Sequence, residues 1–333
     1  MPTQLRTVQL SDISLSDLFF VTTDSRETAA LQRSITSCGL LQPPCLWRPR
    51  QEEPYVIVCG YLRLQAVRNL GWQELSVWVF DCDTPHARLL ECALQDNLSH
   101  RIFNSIEIAH ALQRLLACFS RDVVISEWLP RFGQSPSGRT LERFLCLCSL
   151  EQEPRAALIA GRVTEASALR LCGYSVEDRL AVFALMQQLH LSAGKQAELL
   201  ECLEDLARRD KKTLREVAAA ADIAQVCSDE RCNRVQKTEQ VRHILRARRF
   251  PRLRALEGRF AAALKELPIP AGVRIMPPPH FEGRTFKAEI AFTSAEELQQ
   301  RGRDLLLAAR HPALERLCSE NNDDSARTKA TGQ

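Results

Sequence analysis

No apolar run in this chain approaches the ~18 residues that a bilayer-spanning helix needs, which excludes an integral helical membrane protein. The first residues, Met-Pro-Thr-Gln-Leu-Arg, carry no apolar segment followed by a small-residue cleavage site, and this predicts no export. No GxSxG nucleophile elbow occurs, so the serine-hydrolase arrangement has no sequence support. Cysteine is plentiful at 13 residues, but CxxC spacing is missing around Cys146, Cys148, Cys227 and Cys232. His110, His190 and His243 do not fall beside them at ligand intervals, so no metal site is expected. The odd cysteine count, spread through helical patterns, reads as small core residues in a reducing cytoplasm. No internal repeat is present.

Lysine is absent from residues 1–100, where eight Arg face eleven Asp or Glu. Cationic charge gathers instead at residues 231–254, with nine Lys or Arg against the single Glu239. The whole chain of 333 residues carries only +3, so the asymmetry rather than the total points to a polyanion partner for one part. A solvated helix face is the plainer reading of that segment. A hydrophobic content of 45% suffices for two or three modest cores.

Residues 8–100 alternate strand and helix patterns. Glu27 to Cys38 reads as a helix stopped by Gly39, and Leu46-Trp47, Tyr55 to Cys59 and Leu75 to Phe80 read as strands. Thr84 is expected to cap a helix that has Pro85 in its first turn and runs toward Asn97. The most informative stretch is Tyr55 to Ala66, a β-branched strand running through Gly60 into a helix. Glycine admits close backbone approach, the free N–H groups of the helix start point at the same place, and Arg63 adds a positive charge one turn in. Together these predict an anion or phosphate seat.

From Ile106 to about Ala221 the periodicity is helical throughout. Val124–Phe132, the turn Gly133 to Gly138, and Arg139–Leu150 have the layout of a helix-turn-helix. Its second helix would expose Gln134, Ser135, Ser137, Arg139, Thr140 and Arg143 at its start and turn Leu141, Phe144, Leu145 and Leu147 inward. Arg246, Arg248 and Arg249, in the basic segment that Pro251 ends, are expected to add sequence-independent phosphate contacts. Beyond it, Leu253, Leu256, Phe260, Leu264 and Leu267 form an apolar helical stripe, followed by a strand at Val273–Met276. A second strand through Phe286, Ala288, Ile290 and Phe292 is expected to pair back across Gly283, and a helix from Ala295 to Arg310 completes the unit.

Three stretches, in this order and spacing, resemble the boxes of the ParB family: Leu31-Gln-Arg-Ser-Ile-Thr-Ser-Cys-Gly-Leu-Leu-Gln-Pro43, Ile57-Val-Cys-Gly-Tyr-Leu-Arg-Leu-Gln-Ala66, and Asp96-Asn-Leu-Ser-His-Arg-Ile-Phe-Asn-Ser-Ile-Glu107. The resemblance covers residues 8–200. It implies an α+β chain with a ParB/sulfiredoxin-like N-terminal domain at 1–103 and a helical domain with the helix-turn-helix at 104–222. A basic helical linker at 223–254, a small α+β unit at 255–319 and a disordered tail at 320–333 complete the expected organisation.

In that family the second and third boxes hold a nucleotide, usually CTP with Mg2+, that switches a dimeric clamp on DNA. By position, Gly60, Arg63, Asn97 and Arg101 would form the nucleotide or anion pocket. Tyr61 and Leu62 stand where the family has an acid and an arginine, Gln65 replaces a later arginine, and His100 holds the third box's arginine position, with Arg101 one place on. Two lost arginines remove two bidentate phosphate partners, each worth ~1.5–3 kcal/mol, which implies weaker or altered nucleotide binding. The cysteine that sulfiredoxins carry after the glycine is Tyr61 here. The family reading implies a cytoplasmic, nucleoid-associated bacterial protein with double-stranded DNA as partner, a homodimeric state, a partition ATPase as second component and no catalytic residues. The alternative is a nucleotide-dependent phosphotransferase or nuclease of the same superfamily, for which Asp24, Glu27, Asp96 and Glu107 are the available carboxylates; helix capping is their competing role, Glu107 with Asn104 in particular.

Overall fold

The computed structural model describes residues 4–14, 16–21, 28–281 and 285–316. The expected helix start at Glu27, the carboxylate of Asp24, the turn at Gly283 and the tail at 320–333 lie outside them. The chain is α+β and divides into two compact units, Met1–Arg179 and Leu180–Gln333.

In chain order, the first unit begins with β1 (Gln4–Gln9), α1 (Ala29–Cys38), β2 (Cys45–Trp47), β3 (Val56–Cys59), α2 (Tyr61–Asn69), β4 (Glu74–Phe80) and α3 (His86–His100). The four strands form one sheet in the order β1-β4-β2-β3, with β2 parallel to β4 and the other pairs antiparallel. Leu46, Ile57 and Val77 from the strands and Leu64, Ala66 and Val67 from α2 are essentially solvent-free and form its core. Full burial of a side chain such as Leu46 or Ile57 contributes about 1.5–3 kcal/mol.

Strand β1 carries no alternating pattern, and only Val8 of its six residues is buried, so the sequence does not announce it. Register breaks in the pairing of β2 with β3: Cys45 faces Cys59 but Leu46 faces Ile57, leaving Val58 as an extra, bulged residue. Helix α2 ends in a left-handed glycine, with Gly71 at φ 77°. Trp72 N–H donates to the Val67 carbonyl and Gly71 N–H to that of Arg68, the paired bonds of a Schellman stop. Thr84 does not cap α3. Extended Pro85 is its N-cap and supplies no side-chain bond, because a proline side chain has no acceptor.

The unit continues with α4 (Ser105–Cys118), α5 (Arg121–Val123), a π-helical turn (Val124–Trp128), α6 (Leu129–Arg131), α7 (Gly138–Leu147), α8 (Gln152–Ile159) and α9 (Glu165–Cys172). The expected single helix at 124–132 is thus a rod from Arg121 to Arg131 whose middle is widened to π geometry, with Pro130 inside its last turn. Helix α7 packs on α4 and α9 through Leu141, Phe144 and Leu147, all buried, while Leu145 is half-buried.

The second unit follows α10 (Val176–Gln188), which spans the division, with α11 (Ala193–Asp210), α12 (Leu214–Ala218), α13 (Ala221–Ser228), α14 (Arg234–Arg249), α15 (Pro251–Glu266), β5 (Val273–Met276), β6 (Lys287–Ile290) and α16 (Ala295–Ala309). Residues 223–254, expected as a linker, take part in a core. Ile223, Thr238, Val241 and Leu245 are buried and α14 packs along α11. A capping box of Asn233 and Gln236 starts α14. Strands β5 and β6 pair antiparallel, Val273 with Ile290 and Met276 with Lys287.

Candidate functional site

A cavity of about 250 Å³ opens in the first unit where α2 begins, lined by the polar residues Gln42, Tyr61, Arg63, Asp96, Asn97, His100 and Arg101, by Gly60, and by the apolar residues Phe20, Val21, Leu31, Val58 and Leu62. The fold therefore brings together the four pocket residues read from the sequence. Gly60 adopts φ 86° and ψ 28°, the left-handed region. The positive φ favours glycine, and a Cβ there would lie 3.1 Å from Arg63 Nε and 3.1 Å from Pro44 Cβ, a tight fit that these neighbours would have to relieve. The first intrahelical bond of α2 runs from Leu64 N–H to the Gly60 carbonyl, 3.0 Å, which leaves the N–H groups of Tyr61, Leu62 and Arg63 without a partner inside the helix.

Arg63 is held at the cavity wall. Its Nη1 donates to the Gln42 carbonyl at 2.9 Å and to Gln42 Oε1 at 3.3 Å, and its Nη2 lies 3.6 Å from Asp96 Oδ2. An arriving anion would exchange with Asp96 for this guanidinium. Asn97 accepts from Arg101 Nε at 3.3 Å and donates to the Ala93 carbonyl at 2.8 Å. His100 turns back onto its own helix, its Nδ1 2.7 Å from the Asp96 carbonyl. Arg101 reaches the other way: Nη1 donates to Glu107 Oε2 at 2.7 Å, the guanidinium stacks 4.4 Å over the Phe103 ring, and Nη2 is buried with no hydrogen-bond partner among the described residues. A buried guanidinium donor left open in this way suits an incoming phosphate oxygen.

Glu107 is a capping residue. Asn104 Oδ1 accepts from Ile106 and Glu107 N–H at 3.0 and 2.9 Å, while Glu107 Oε2 accepts from Asn104 N–H at 3.0 Å. Among the described residues no group of three or more His, Cys, Asp or Glu is placed to hold a metal. Gln42 was not singled out in the sequence, although it sits in the first quoted box; its glutamine-proline ending was the available signal. Phe20 and Val21 gave none, because they belong to no motif and reach the cavity only through tertiary packing.

Beneath the Gly60 loop, Cys45 and Cys59 stand opposite each other on β2 and β3. A hydrogen bond between the two thiols, with burial added, pushes the Cys59 thiol far up, and the same bond draws the Cys45 thiol down.

The second candidate surface is the start of α7. Ser137 is its N-cap, accepting from Thr140 N–H at 3.1 Å. Arg139 is exposed and has no ion-pair or hydrogen-bond partner among the described residues. Arg143 is exposed, but its Nε lies 3.3 Å from Glu165 Oε1 and its Nη2 donates to Gln134 Oε1 at 3.4 Å. Thr140 departs from expectation: it is buried, and its hydroxyl is occupied by Ser135 and Ser137, each at 2.8 Å. Its place one position ahead of Leu141 turns it toward the loop rather than outward.

The basic segment also differs from its expected role. Arg248 pairs with Asp222 at 2.6 Å, and Arg249 with Glu201 and Asp205, each at 2.6 Å. Carboxylates of neighbouring helices thus neutralise the row expected to face phosphates. The hydrogen bond that Arg249 donates to Glu201 holds its guanidinium above its ordinary range. Arg246, 3.9 Å from Glu257, is paired only loosely.

Residues 2–98 match the family model described as the ParB N-terminal domain. That stretch is a ParB N-terminal domain. A nucleoid occlusion protein of Bacillus licheniformis is 29% identical over 198 residues, covering 58% of this chain and 67% of that protein. That of Bacillus subtilis is 30% identical over 185 residues, 54% of this chain and 62% of the relative. A probable chromosome-partitioning protein ParB of Campylobacter jejuni is 25% identical over 155 residues, 46% and 53% of the two chains. The chain thus spans roughly half to two-thirds of the length of these curated relatives. Among solved structures, the C-terminally truncated ParB from Caulobacter crescentus complexed to the centromeric parS site covers 65% of this chain and 98% of its own, at 18% identity and a TM-score of 0.33. The same ParB complexed with CTP-gamma-S covers 55% and 99%, at 21% identity and a TM-score of 0.26.

Gly60 and Arg63 from the second quoted stretch and Arg101 from the third all line the cavity.

Proposed function

We propose that this chain is a ParB-type protein that binds double-stranded DNA in chromosome partition or nucleoid occlusion, with α7 as the helix that enters the major groove. The observation that carries this reading is the exposed, unpartnered Arg139 at the start of a helix whose opposite face is packed on α4 and α9. Gln134, Ser135, Ser137 and Arg143 surround it as polar contacts, and Thr140 supports the loop from inside. A helix presented by its N-terminal turn brings both a guanidinium and free N–H groups to the duplex.

The cavity at Gly60 is read as a nucleotide phosphate site, with CTP as the first ligand to test. Arg63, the α2 N–H groups and the open Nη2 of Arg101 suit phosphate oxygens, and the apolar wall of Phe20, Val21 and Val58 suits the rest of such a ligand. Mg2+ would be brought with the phosphates, near Asp96. A homodimer is supported by the outer edges of β5 and β6, which have no strand partner among the described residues.

The test is fluorescence anisotropy with a pool of labelled genomic duplexes, followed by sequencing of the bound fraction. Replacing Arg139 by Ala should weaken binding by ~1–3 kcal/mol if it reads a base edge. Unchanged affinity would remove α7 from the interface. Calorimetric titration with CTP and ATP, with and without duplex, tests the pocket separately.

A further inference from the structure

We propose that Cys45 and Cys59 form a peroxide-sensitive dithiol, and that their oxidation to a disulfide locks the strand ends beside the Gly60 cavity. The Val58 bulge shifts the register of β3 by one residue and makes Cys59, not Val58, the direct partner of Cys45. Directly opposed residues of an antiparallel ladder share one face of the sheet, with Cα atoms ~4.5–5.5 Å apart. A disulfide accepts Cα separations of ~4.4–6.8 Å, a range that contains the spacing of directly opposed pairs. Cys45 is half-buried and Cys59 buried, which leaves one entry for a small oxidant and a sheltered partner to resolve the product.

The chemistry is complete with one hydroperoxide. The Cys45 thiolate attacks a peroxide oxygen, the S–O bond forms as the O–O bond breaks, and the departing hydroxide takes up a proton to become water. Cys59 sulfur then attacks the Cys45 sulfenic sulfur, the S–S bond forms, and the sulfenic oxygen leaves as a second water with the Cys59 proton. Two electrons pass from the thiol pair to the peroxide. Reaction needs access as well as thiolate character, and Cys45, half-buried where Cys59 is buried, is the member of the pair that a peroxide reaches.

Position makes the bond consequential. Cys59 immediately precedes Gly60, and Cys45 immediately follows Pro44, whose Cβ borders the space above Gly60 at 3.1 Å. A cross-link between them fixes both sides of the loop that would cradle an anion. The effect on binding rests on the phosphate-site reading, whereas the cross-link itself does not.

The experiment treats the reduced full chain with hydrogen peroxide, alkylates the remaining thiols and maps the peptides by mass spectrometry. A Cys45–Cys59 linked peptide is expected, reversed by dithiothreitol. In Cys59→Ser, Cys45 should instead accumulate as a sulfenic acid trapped by dimedone. A Cys45 that stays alkylatable while other cysteines oxidise, or that links to Cys92 instead, would overturn the proposal. Binding of a labelled inorganic triphosphate is measured before and after oxidation. A reversible loss supports the lock, and unchanged binding despite a formed cross-link overturns it. A chain that binds no triphosphate even when reduced but still forms the bond counts against the phosphate-site reading and leaves the dithiol standing.

Discussion

Glu165 divides its carboxylate between Arg143, whose Nε lies 3.3 Å from one oxygen, and the hydroxyl of Ser105, which donates to the other. The residue expected to meet DNA is therefore restrained by an acid from the next helix pair. Both partners are more than a third exposed, so the pair contributes well under 1 kcal/mol to stability once solvent screening is counted. Replacing Glu165 by Gln should raise duplex affinity a few-fold and leave the melting temperature nearly unchanged. If Arg143 then meets a phosphate, the slope of log affinity against log salt steepens by about 0.9. Anisotropy titrations at several salt concentrations measure both.

Thr140 gives the opposite expectation. Its hydroxyl is buried between Ser135 and Ser137, so Thr140→Val removes two hydrogen bonds from the turn. The loss should be about 1–2 kcal/mol of stability. Thermal unfolding should reveal it, while duplex affinity at low temperature stays within a few-fold of the parent.

At Gly60 an alanine would meet both a left-handed backbone and two neighbours at 3.1 Å. Gly60→Ala should cost about 1–2 kcal/mol from the backbone alone and push Arg63 away from Gln42. A lowered melting temperature together with weaker triphosphate binding is the expected pair of results. Full stability would show that the strand–helix junction can relax.

Arg101 and Glu107 call for a double-mutant cycle. Glu107 is 4% exposed and Arg101 30%, so removing the arginine strands a carboxylate that has little access to water. Arg101→Ala should destabilise by more than Glu107→Gln, because glutamine still reaches back to the Asn104 N–H as a capping residue. The double variant should recover much of the single loss, and strict additivity of the two would refute the pairing.

Differential alkylation of the reduced protein checks the thiol pair without any oxidant. The bond from Cys59 lowers the Cys45 thiol, and the same contact raises the Cys59 thiol well above its ordinary value. Cys45, half-buried where Cys59 is buried, should react with iodoacetamide first. Equal rates for both, read by peptide mapping over time, would contradict this geometry.

Much of this was legible in the chain before its fold was known, because short-range signals carried it. Glycine at 60 and the asparagine and glutamate three apart at 104 and 107 each act on backbone groups within a few residues. The stripe of Leu141, Phe144 and Leu147 repeats at the helical period and needs no partner to be recognised. What stayed hidden depends on long-range packing. Strand β1 has one buried residue in six and joins the sheet only through β4, far along the chain. The pairing of Arg248 and Arg249 with Asp222, Glu201 and Asp205 is likewise invisible in a local count of charge, which leaves a polyanion surface and a solvated helix face equally open. Thr140 was misplaced for a smaller reason: helical spacing gives the face but not whether a preceding loop covers it.

The unpaired residue at position 58 sets a rule for how this part of the protein tolerates change. Replacing the Val58 side chain alters packing, which neighbours can absorb. Removing the residue would restore an unbroken ladder and rotate everything after it by half a repeat, so the glycine would arrive at the helix start facing the wrong side. Length, more than side-chain identity, is what the path from Ile57 to Gly60 depends on.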